Sequence, residues 1–109
     1  MVIRLLETAK EDLRAGFRFY EAQAAGLGDY FLDCAQSDVR SLLIYAGIHP
    51  EIDGFFRMLM KRFPFAVYYL LSNEQIDIYA ILDCRRDPTW ISARLRTPVL
   101  PSGEHEPQP

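Results

Sequence analysis

FFRMLMKRFPFAVYYLLSNEQIDIYAILDCRRD, residues Phe55–Asp87, holds three runs rich in Phe, Tyr, Val, Ile and Leu: Phe55–Met60, Phe65–Leu71 and Ile76–Cys84. Arg62 and Pro64 punctuate the first join, and Ser72-Asn73-Glu74-Gln75 forms the second. Short β-branched and aromatic runs separated by a few turn-forming residues read as strands of an antiparallel meander. In the middle run Phe65, Val67, Tyr69 and Leu71 share one parity, while Ala66, Tyr68 and Leu70 share the other. A strand apolar on both faces is covered on both, which places Phe65–Leu71 inside the sheet. The last run alternates, with Ile76, Ile78, Ala80, Leu82 and Cys84 expected on one face and Asp77, Tyr79, Ile81 and Asp83 on the other. Cations gather here: Arg57, Lys61, Arg62, Arg85 and Arg86.

Upstream of the meander, Val2–Leu6 suggests an edge strand joining the sheet. Thr8-Ala9-Lys10-Glu11 has the form of a capping box and opens a helix running to Gly26, with Ala9, Leu13, Phe17, Tyr20 and Ala24 as its apolar stripe. Gly16 inside that helix implies close approach by another backbone. After the tight Gly26–Asp29 link, with Asp29 as cap, a second helix extends over Tyr30–Ala46 through Phe31, Ala35, Leu42 and Ala46, widened by Leu32, Val39 and Leu43. Two amphipathic helices so closely joined are antiparallel neighbours, and the meander can cover their apolar face. Downstream, Asp87-Pro88 starts a short helix reaching Leu95. The expected architecture is a single α+β domain over residues 1–96: an N-terminal strand, a helical hairpin on a small antiparallel sheet (β-α-α-β-β-β) and a short C-terminal helix. The Pro-rich residues 97–109 read as a flexible tail.

A length of 109 residues suffices for one core, and half of them are hydrophobic. The net charge of −3 divides unevenly, with residues 1–56 acidic and residues 57–96 basic. A basic half on an acidic protein points to a polyanion or an acidic protein segment as partner. No run is long enough for a membrane span and no targeting signal is evident, so the protein is expected in the cytoplasm, away from membranes. Cys34 and Cys84 form no CxxC pair and read as free thiols. His49 and His105 lack supporting ligands, so no metal and no cofactor is expected.

Several short elements in order then point to a family. They are Ala9, Asp12 and Leu13; Phe19-Tyr20-Glu21; Gly26-Leu27-Gly28-Asp29 and Phe31; Arg57; Phe63-Pro64-Phe65 and Tyr68-Tyr69; and Arg85-Arg86-Asp87-Pro88 with Trp90. Over about residues 2–96 the chain resembles toxins of the RelE/ParE superfamily of type II toxin–antitoxin systems, closest to the ParE-like branch. The resemblance implies the fold derived above, a cognate antitoxin as partner, and a target that is either DNA gyrase or mRNA on the ribosome. A homodimer and a toxin–antitoxin hetero-oligomer both stay open. RNA cleavage requires a base for the 2′-hydroxyl, an acid for the leaving oxygen and cations for the extra charge. The catalytic candidates are Arg57, Lys61, Arg85, Arg86 and Tyr69, and the candidates for gripping a target or antitoxin are Arg57, Lys61, Arg62, Arg85, Arg86 and Trp90. The chain departs from the cleaving pattern at Ala66, Asp83 and Trp90, and indole can be neither acid nor base. The expectation is a growth-inhibiting toxin acting on gyrase rather than mRNA. The alternatives are a RelE-type ribosome-dependent endonuclease and an inactive binding module with the same fold.

Overall fold

In the computed structural model, which describes residues 1–96, Phe55–Asp87 folds into three antiparallel strands of a five-stranded sheet. The expected tail, 97–109, lies outside the described residues. In chain order the elements are β1 (Val2–Leu5), α1 (Glu7–Gln23), α2 (Leu27–Arg40), α3 (Leu42–Tyr45), β2 (Glu51–Ile52), β3 (Phe55–Leu59), β4 (Phe65–Leu71), β5 (Gln75–Asp83) and α4 (Pro88–Arg96). The fold is α+β, with sheet order β1-β5-β4-β3-β2. Among the described residues no helix is long and apolar enough to cross a membrane.

β4 is the central strand, and Phe65–Tyr69 are buried on both faces of the sheet. One face carries α1 and α2 over Phe65, Val67 and Tyr69; the other packs Ala66 and Tyr68 with Leu82, and α4 adds Leu95 there. The sheet is mixed rather than antiparallel, because β1 pairs parallel with β5 from Val2↔Gln75 to Leu5↔Ile78. The helices carry the chain across the sheet to its far edge, and the following strands return step by step until β5 lies beside β1. A parallel neighbour requires a long crossover, supplied here by the helices together with the returning strands.

β5 does not keep a single alternation. Tyr68 pairs with Ala80 but Tyr69 pairs with Ile78, so Tyr79 is an extra residue, a β-bulge. Parity flips there. Ile76, Ile78 and Ile81 join the helix-side core, while Tyr79, Ala80 and Leu82 join the opposite cluster, so the expected grouping of Ile76 with Ala80 and Leu82 does not hold.

α1 and α2 pack through two glycine notches. A Cβ at Gly16 would stand 2.5 Å from Cε2 of Phe31, and one at Gly28 would stand 2.6 Å from Cδ1 of Phe17 and 2.8 Å from its backbone oxygen. The close neighbour of Gly16 is therefore a ring, not a backbone. That ring, Phe31, is fully buried and touches Phe63 at 5.1 Å and Phe65 at 4.9 Å between centroids.

Helix ends differ from the capping residues read in the sequence. Thr8 is already inside α1 and forms no capping box; its hydroxyl donates to the Tyr79 carbonyl at 2.8 Å, an acceptor the bulge supplies. α1 stops at Gln23, and Gly26, at φ 87°, stands before α2 instead of ending α1. The free amides of Gly26 and Gly28 are taken by the Glu21 carboxylate, both at 2.9 Å, so Glu21 does the work expected of Asp29. The second helix breaks at Ser41, whose hydroxyl donates to the Asp38 carbonyl at 2.6 Å, a back-bond that bends helices. Beyond this break Leu43 is exposed rather than widening the apolar stripe.

Candidate functional site

The sequence-derived cations do not converge. Strand alternation puts Phe56 and Met58 toward the helices and Arg57 on the opposite face, where its Nη2 lies 3.8 Å from Cys84 Sγ. Burial opposes the Arg57 charge, but hydrogen bonding to Tyr68 and the neighbouring Cys84 thiol outweigh it and raise its pKa. Among the described residues Arg57 forms no ion pair. Lys61 and Arg62 lie past the end of β3, both exposed, with no ion pair among the described residues.

At the far end of β5 the cations are already engaged. Arg85 donates to the Asp83 carboxylate from two side-chain nitrogens, at 2.9 and 2.6 Å, and from its own backbone N–H at 2.8 Å. The Asp83 carboxyl is held below its usual range chiefly by that side-chain bond. Arg86 lies over the Trp90 ring at 3.6 Å, a cation–π contact. Both border a cleft of about 330 Å³ between α1, the end of β5 and α4, with Gly16, Phe19 and Phe65 in its walls. Asp12 sits in the same cleft and ties three elements together, accepting from Ile81 N–H at 3.0 Å and Arg94 Nη2 at 2.8 Å. Burial nonetheless raises its pKa, more than these two donors lower it.

Tyr69 stands apart from all of them. It is fully buried on the helix side, across the sheet from Arg57. Its hydroxyl accepts from Gly47 N–H at 2.9 Å and lies 2.5 Å from Nδ1 of His49. That arrangement suits a phenol donating to a neutral ring. Sequence reasoning set His49 aside because it has no metal-ligand spacing; Gly47-Ile48-His49-Pro50 signals a helix break, and only the fold brings that break under Tyr69.

Burial lowers the His49 pKa below its usual 6.5. The unfolded chain therefore binds a proton first as pH falls, so the bond's contribution is intact above about 6.5 and is lost as pH drops through the folded value. Wild type is expected to lose roughly 1 kcal/mol more stability than His49→Phe between about pH 7.5 and about pH 5, the net worth of one buried hydrogen bond. Urea unfolding at the two pH values checks this; parallel losses would refute it.

No family model matches the sequence, and neither does any curated protein. A search of solved structures does find similarity, to a chain described as "Chromosomal ParDE TA system from P. aeruginosa". The TM-score is 0.62 at 22% identity, over 74% of this chain and 92% of that one. A small mixed sheet, a glycine-notched helical hairpin on one face and a short closing helix on the other thus make up a fold shared with a chain of that ParDE system.

Proposed function

We propose that this chain is the toxin of a type II toxin–antitoxin pair, restrained by a cognate antitoxin, and that it acts on DNA gyrase rather than by cutting mRNA. The fold shared with a chain of the ParDE system is the observation that carries the toxin reading. The choice of target is supported by the scatter of the cations. Cleavage of RNA asks for an acid, a base and several cations around one phosphate. Here Arg57 and Tyr69 lie on opposite faces, Arg85 is neutralised by Asp83, and Arg86 is stacked on an indole that cannot transfer a proton. A rim of separated cations suits binding to a protein or a protein–DNA complex better than bond cleavage.

Brief induction of the chain alone is expected to stop growth with a DNA-damage response, and co-expression of a short neighbouring reading frame is expected to relieve it. Arg85→Ala or Arg86→Ala, if folded, should weaken the arrest. Codon-positioned mRNA 5′ ends without a damage response would establish the RelE-type activity instead. Undisturbed growth with an intact fold would mark an inactive binding module.

A further inference from the structure

Asp38 is the one buried charged residue among those described, only 5% exposed on α2 just before the Ser41 break. Its Oδ2 accepts the backbone N–H of Lys61 at 3.1 Å. Its other oxygen has no hydrogen-bond partner, and the carboxylate no ion pair, among the described residues. It faces a cavity of about 480 Å³ that is largely apolar through Tyr45, Ile48, Met58 and Leu59, with His49 and Lys61 also in its wall. A buried carboxylate without a cation is costly, because burial removes the water that would solvate it. An apolar sleeve with such a group in its wall fits the long stem and charged head of a lysine or arginine. Arg57 borders the same cavity, but its guanidinium is turned toward Cys84 on the other face of the sheet.

The backbone beside the cavity indicates how that side chain arrives. β2 covers β3 only at Phe55 and Phe56, followed by one bond from Arg57 N–H to the Pro50 carbonyl at 2.9 Å. Pro50 has no N–H to return, so the ladder ends there. The outward groups of Leu59, whose alternation turns them away from β4, have no partner among the described residues. Leu59 and Ile48, 59% and 72% exposed, frame the mouth. An unpaired strand edge beside an apolar rim is suited to accept an added strand.

We infer that the cavity under the α2–α3 break is a specificity pocket for a lysine or arginine, carried by an extended segment of the restraining protein that pairs with the open half of β3. The inference deepens the proposed function and rests on the protein having such a partner. The test measures binding of the full chain to a fluorescein-labelled pentapeptide of alternating Thr and Val with arginine at its centre, and to its twin with neutral citrulline there. The arginine peptide is expected to bind about 10-fold or more tightly, the discrimination of a charge-assisted pair. Asp38→Asn retains an acceptor for Lys61 N–H and should abolish the preference, while Lys61→Gln should preserve it. Equal affinity for both peptides, or saturable binding of neither, overturns the pocket without recourse to any variant. A preference that emerges only in Lys61→Gln also overturns it, since Lys61 would then neutralise Asp38 itself. Growth arrest without arginine preference would leave the proposed function standing and remove only this pocket.

Discussion

Gly28→Val is expected to destabilise the domain by about 2–3 kcal/mol, near the upper end for an overpacked core. The added Cβ meets the backbone oxygen of Phe17 at 2.8 Å, not merely the movable edge of its ring. A side chain can rotate away, but a helical carbonyl can yield only if α1 and α2 separate. Both helices are pinned to the same core through Tyr20 and Phe31, whose rings lie 5.3 Å apart. The few tenths of a kcal/mol that valine gains over glycine in helix propensity do not offset this. A fall in melting temperature of about 10–20 °C should follow for a domain of this size. Gly16→Ala should cost less, because its neighbour is the ring end of Phe31. A melting temperature within a few degrees of wild type would show that the hairpin has slack the packing does not suggest.

Breaking the Asp12–Arg94 pair from one side should be nearly as damaging. Asp12 and Arg94 are 14% and 18% exposed, and together they tie α1 to β5 and to α4 on the opposite face of the sheet. Asp12→Ala leaves the guanidinium with the Thr8 carbonyl at 3.4 Å and the Tyr79 ring but no counter-charge, and frees the Ile81 amide, at an expected cost of roughly 2–3 kcal/mol, somewhat below that for a fully buried pair. The raised pKa of Asp12 shows that burial outweighs its partners. Replacing both residues, as in Asp12→Leu with Arg94→Met, should therefore restore much of the loss. Urea unfolding of Asp12→Leu, Arg94→Met and the double variant gives the coupling directly. Strictly additive losses would mean that the two residues act independently.

What could be read from the sequence was set by how local each feature is. The bounds of the Phe65–Leu71 run match β4 in full, and the two-sided burial its composition implies holds over Phe65–Tyr69, while Leu70 and Leu71 are exposed. The Asp87-Pro88 helix start is equally local, and Asp87 does accept the Thr89 N–H at 2.9 Å. The bulge at Tyr79 left no such mark. From Tyr79 to Leu82 the sequence is apolar throughout, so no change of parity can be read there, and only the register against β4 reveals the extra residue. The acceptor for the Gly26 and Gly28 amides was misplaced because Glu21 reaches them from a helix that has already ended. At the candidate site, the side chains of Arg85 and Asp83 stand two residues apart and pair locally. The His49–Tyr69 bond spans 20 residues, and nothing local sets Asp38 apart from the other polar residues of α2.

The parallel pairing of β1 with β5 also sets when this protein can exist during its own synthesis. Val2 leaves the ribosome well before Gln75, its neighbour across the ladder. At about 5–20 residues per second, roughly 4–15 s pass before that partner is made. Until then the first strand has nothing to pair with, and the hairpin has no finished sheet to rest on. The nascent domain must stay non-native through most of its own synthesis, and it reaches its working form only once nearly all of it has been made.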